Sequence, residues 1–72
     1  MNKMEGLIMN IKDFLENYQG NAHIEIYDMF SWNTKRYNDK NMAIRDFGYF
    51  SVRSWEILPT MNKLKITIRS QM

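Results

Sequence analysis

Apolar side chains at Ile8, Ile11, Phe14, Leu15 and Tyr18 recur every three or four residues, which puts them on one face of a helix. Lys12, Asp13, Glu16 and Asn17 fall on the opposite face. Asn10 is placed to cap this helix, and Asp13 suits the positive end of its dipole. Gly20-Asn21 offers a left-handed stop. The spacing therefore predicts helix from residue 8 or 10 to residue 19. The period then changes to two. Residues 22–30 alternate and predict a strand, with Ala22, Ile24 and Ile26 toward the helix and His23, Glu25 and Tyr27 toward the other side. Ser31-Trp32-Asn33-Thr34 reads as a loop, and Thr34 to Tyr37 as the short second strand of a hairpin.

Asn38 and Asp39 are cap-like residues ahead of Met42-Ala43-Ile44, and Phe47 lies three positions after Ile44, so a short helix is expected to end at Gly48. Tyr49 to Leu58 is aromatic and β-branched, but its alternation slips between Val52 and Trp55, which points to a bulge near Arg53-Ser54. Trp55, next to Ile57 along the strand, is expected in the core. Pro59-Thr60-Met61-Asn62 supplies a turn. Lys63 to Arg69 alternates cleanly, with Leu64, Ile66 and Ile68 inside and Lys63, Lys65, Thr67 and Arg69 outside. The order α-β-β-α-β-β predicts an α+β fold, one N-terminal helix packed on a mostly antiparallel four-stranded sheet, the second helix being short. With no repeat, linker or low-complexity segment, residues 1–72 form a single domain.

The chain has 72 residues, of which 44% are hydrophobic and 25% charged, an ordinary balance for a folded domain. So short a chain buries only roughly 60% of its unfolded surface, so modest stability is expected. There is no cysteine and one histidine, His23. Disulfides and thiolate metal sites are thereby excluded, and no cofactor site is expected. Gly6, Gly20 and Gly48 are the only glycines, so there is no phosphate-cradling loop. His23 shares a predicted strand face with Glu25, an arrangement that serves a base and its orienter but more commonly forms an exposed pair. These features point away from an enzyme. No apolar run approaches the roughly 20 residues that span a bilayer. Leu7-Ile8-Met9 is too short for a signal peptide, and the reading is cytoplasmic.

The residues Asn, Lys, Ile, Tyr, Phe and Met have AT-rich codons, which suggests a low-GC bacterial or phage genome. Glu5-Gly6, where encoded GAG-GGN, contains a ribosome-binding core two codons before Met9. Residues 1–8 are accordingly either a translated leader or an extension of the first helix.

Charge is uneven along the chain. Residues 1–34 hold two basic and five acidic side chains, whereas residues 35–72 hold eight and three. Ten of the 72 residues are aromatic, more than one helix over a small sheet hides. An open sheet face bearing large rings marks an interaction surface. The expected anchors for a protein partner are Tyr27, Trp32 and Tyr37, with Glu25, Lys35 and Arg36 around them. Trp32 is the sharpest of these, lying in a loop between Ser31 and Asn33. The alternative is nucleic acid, bound along a basic strand face by Arg53, Lys63, Lys65 and Arg69. Against it stand Glu25, Glu56 and a net charge of only +2. A homodimer through an exposed edge of the last strand is a further expectation.

The run Ile11-Lys12-Asp13-Phe14-Leu15 through Gly20-Asn21-Ala22-His23-Ile24-Glu25-Ile26-Tyr27-Asp28, with Ser54-Trp55-Glu56-Ile57 and Leu64-Lys65-Ile66-Thr67-Ile68, resembles short accessory proteins of phages and mobile elements of low-GC Gram-positive bacteria. The likeness is a pattern of helix, glycine stop and strands over most of residues 9–69. It implies a non-enzymatic inhibitor or modulator of a host protein, of the anti-CRISPR or anti-defence type, whose partner belongs to a nucleic-acid-processing complex. It carries no functional residue over.

Overall fold

The computed structural model describes residues 9–70. The two readings of residues 1–8, and the place of Ile8 on the first helix, lie outside the described residues. Among those described, the fold is α+β with a four-stranded sheet, in the expected element order. The first helix, α1, spans Ile11–Glu16. Asn10 caps it from an extended conformation, its Oδ1 accepting from the Asp13 amide at 2.8 Å. The helix ends earlier than its apolar spacing predicts. Asn17 closes it in a right-handed conformation, and neither Gly20 nor Asn21 is left-handed. Instead, the Tyr18 side chain turns back so that its hydroxyl accepts from the Ala22 amide at 3.2 Å. It covers Gly20, where a Cβ would run into the Tyr18 ring and hydroxyl.

The strands are β1 (His23–Asp28), β2 (Asn33–Tyr37), β3 (Ser54–Leu58) and β4 (Lys63–Ile68), and a second helix, α2 (Lys40–Phe47), joins β2 to β3. Their spatial order is β2-β1-β4-β3. Both hairpins are antiparallel, but the central pair β1 and β4 is parallel, with Ile24 beside Leu64 and Ile26 beside Ile66. The last strand is therefore interior, which corrects the expectation of an exposed β4 edge; the free edges are β2 and β3. The two middle strands carry the most apolar alternation, and they supply Ile24, Ile26, Leu64, Ile66 and Ile68 to the core. Ile11 and Leu15 from α1 and Ala43 from α2 complete it, so both helices, not one, cover the same sheet face.

The β-prone run from Tyr49 is not strand until Ser54. Residues 48–52 instead clasp α1. The Ile11 amide donates to the Phe50 carbonyl (2.9 Å), that of Lys12 to the Gly48 carbonyl (3.0 Å) and that of Val52 to the Met9 carbonyl (2.9 Å). The Ile11 and Lys12 amides have no acceptor within their own helix, which is why an irregular clasp wins over a longer strand. The expected bulge is present: the Arg53 amide donates to the Thr67 carbonyl at 2.8 Å although Thr67 already faces Ser54. A 3-10 turn, Pro59–Met61, then leads through left-handed Asn62 into β4.

Candidate protein-docking surface

The β1–β2 loop is the most exposed apolar feature. Trp32 is 80% exposed, and Phe30 and Met29 beside it are exposed too. Trp32 has a φ of 61°, in the left-handed region that suits glycine or asparagine and strains a bulky side chain. The strain persists because Asp28 holds the turn from below. The Asp28 carbonyl accepts from the Trp32 amide (2.7 Å), its Oδ1 from the amides of Phe30 (3.0 Å) and Ser70 (3.0 Å), and its Oδ2 from the Ser31 hydroxyl (2.8 Å). Burial opposes the charge on Asp28, yet the hydrogen bonds from Ser70, Ser31 and the Phe30 amide more than offset it and hold the carboxyl well below the usual carboxylate range. The linear pattern alone does not mark Asp28 as a site residue. Its signal was an Asp followed three positions later by Ser at a turn.

The other expected residues divide between the two sides of the sheet, because strand side chains alternate. Tyr27 and Arg36 lie on the open face. Lys35 faces the helix side of β2 and is exposed, and Tyr37 faces the same way. Tyr37 is half-buried, its ring edge-on to Phe47 and its hydroxyl donating to Asp46 Oδ2 at 2.8 Å. Burial and then that carboxylate push the Tyr37 hydroxyl up to about 12. The structure thus brings no single cluster out of Tyr27, Trp32, Lys35, Arg36 and Tyr37; only the loop and the start of β2 are contiguous.

The open face is charged rather than ring-rich, and among the described residues Tyr27 is the one aromatic of β1–β4 that points to it. Glu25 sits at its centre, buried by its neighbours. Lys63 Nζ lies 2.8 Å from Glu25 Oε1 as an ion pair rather than an aligned hydrogen bond, and Arg36 Nε lies 3.6 Å away. The Lys63 contact, against burial and with help from Arg36 and Lys65, lowers the Glu25 carboxyl below its ordinary value. Lys65 Nζ stands 5.9 Å over the Tyr27 ring. Of the four basic residues expected for nucleic acid, Lys63 is thus neutralised and Lys65 faces Glu56 across β3. Arg53 stands apart at the bulge, and Arg69 follows β4. His23 Nδ1 contacts Asn38 Oδ1 at 2.8 Å and has no link to Glu25. Among the described residues no three His, Asp or Glu side chains gather to hold a metal, and no helix is long and apolar enough to cross a membrane.

Trp55 is not core. It is 54% exposed, its ring tilted against Phe14 at a centroid distance of 5.5 Å. Alternation puts it on the helix side, but β3 is the edge strand, where Phe14 of α1 covers the ring only in part. A groove of about 780 Å³ results, lined chiefly by Met9, Phe14, Tyr18, Trp55, Ile57 and Leu64. Comparison of the chain with protein-family models, with curated proteins and with solved structures finds no match.

Proposed function

We propose that this protein is a non-enzymatic binding domain that docks a partner protein through the Trp32 turn. The reading is carried by one observation: a tryptophan stands 80% exposed at a strained φ of 61°, where glycine or asparagine would be easier. Strain of this kind, kept in place by a buried carboxylate, belongs to sites where presentation of a side chain outweighs stability. Exposed tryptophan flanked by Phe30 and Met29 supplies the apolar anchor, and such anchors dominate interface energies. Exposed Lys35 follows three residues later on β2, so the partner surface is an apolar pocket with a carboxylate at its border, whose charge steers encounter. The accessory-protein resemblance makes the partner a host protein that is inhibited or modulated by occupation of this surface, of the anti-defence type.

The test is affinity capture from host lysate with the wild type, with Trp32→Gly and with a control, Tyr49→Ser, at a position 90% exposed and remote in sequence. A stoichiometric partner should appear with the wild type and the control and vanish with Trp32→Gly. Equal recovery by all three would refute the reading.

A further inference from the structure

Beyond the Trp32 turn, the far side of the sheet carries a second surface. The two free edges differ in kind. β2 bears Lys35 and Arg36 within the strand, charges that discourage strand addition, whereas β3, Ser54-Trp55-Glu56-Ile57-Leu58, carries one charge, Glu56, between the bulge at Arg53 and Pro59. Along the helix side of β3 runs the apolar groove, with Trp55 and Ile57 (48% exposed) as its floor. Exposed Arg53 lines the same groove at the bulge that begins β3, and among the described residues no carboxylate pairs with it. An open edge, a row of apolar positions at alternate residues and one uncompensated cation are together the recognition elements for an extended peptide.

We propose that the β3 edge receives an extended segment of a partner protein as a fifth strand, with apolar side chains over Trp55 and Ile57 and a carboxylate at Arg53. A second copy of this chain fits less well. Antiparallel self-pairing centred on Glu56 sets the two Glu56 side chains opposite each other. Centring it on Trp55 puts Arg53 opposite Ile57 and leaves the cation without an acid. Among the described residues neither register gives Arg53 an acid, and that favours a carboxylate from a partner segment.

The probe is a capped octapeptide of alternating threonine and valine with aspartate at each end, titrated into the full chain and followed by backbone amide shifts. A twin peptide carries lysine in place of aspartate. Shifts confined to β3, α1 and the Trp55 indole are expected. The lysine twin should bind the wild type about fivefold more weakly, as for a partly exposed ion pair. Arg53→Glu should reverse that preference, and Trp32→Gly should bind the aspartate peptide like the wild type, which keeps this site separate from the turn. The twin on the unmodified protein preserves the test if Arg53→Glu fails to fold. The proposal is overturned by absence of shifts at millimolar peptide, by shifts at the β2 edge, or by indifference to the charge swap. It is equally overturned if β3 is protected in a dimer, or if binding appears only after residues 1–8 are deleted, since the chain would then supply the occupant itself.

Discussion

The carbonyl of Asp28 accepts the amide of Trp32 at 2.7 Å, so a buried carboxylate residue and a tryptophan that is 80% exposed close one loop. Four residues separate Asp28 from its strand partner Asn33, a hairpin length that closes comfortably when its last loop position is left-handed. Glycine adopts that conformation without strain, whereas tryptophan adopts it at a cost of about 1 kcal/mol or more. Trp32→Gly should therefore leave stability unchanged or raise it by up to about 1 kcal/mol, less any loss from a more flexible unfolded chain. Urea denaturation checks this. A fall in midpoint would mean that the ring packs on the domain rather than on a partner.

Asp28→Asn keeps the shape of the carboxylate and removes its charge. The folded carboxyl is depressed below its unfolded value, so its stabilisation is complete above the unfolded pKa of about 4 and is lost as pH falls below it. The wild type should exceed Asp28→Asn by about 1–3 kcal/mol at neutral pH, the range for hydrogen bonds to a charged group. The gap should close progressively below about pH 4. Thermal unfolding across pH for the two proteins measures it, and a gap independent of pH would contradict the assignment.

Glu25 restrains the basic side of the sheet. Its Oε1 lies 2.8 Å from Lys63 Nζ and faces Arg36 and Lys65 as well. Glu25→Gln removes the charge at this centre and leaves three cations on one face. A single-stranded oligonucleotide should show little binding to the wild type and a gain with Glu25→Gln at low salt that disappears as salt rises. Strong, salt-sensitive binding by the wild type would favour the nucleic-acid reading over protein docking.

Much of this architecture is legible in the bare pattern of residues. Ile24, Ile26, Leu64, Ile66 and Ile68 lie inside as their alternation implies, and Arg53-Ser54 does bulge. What alternation does not encode is lateral position. It sets Trp55 on the helix side yet is blind to β3 being an edge that α1 covers only in part, so the ring expected in the core lines a groove. It likewise gives no sign that β1 and β4 pair in parallel, because that depends on α2 carrying the chain across the sheet. Trp32 stood out by its polar neighbours, whereas the strain and the Asp28 network that present it are properties of φ and of long-range contact with Ser70.

Lys40 is a further residue whose role appears only in three dimensions. Its Nζ donates to the Leu15 carbonyl at 2.9 Å and to the Tyr18 carbonyl at 2.8 Å, which ties the first residue of α2 to the end of α1. The Leu15 carbonyl already accepts the Tyr18 amide at 3.1 Å, so the cation adds a second bond there, gives the Tyr18 carbonyl a donor, and opposes the partial negative charge at the end of α1. Lys40→Met preserves the aliphatic stem but removes the donor. It should cost about 1–2 kcal/mol, reduced by the partial exposure of the site. The loss should be local first: amides of α1 should exchange faster, while those of β1 and β4 change only by the global amount. Uniform acceleration across the sheet would show that the lysine supports the whole core instead of joining the two helices.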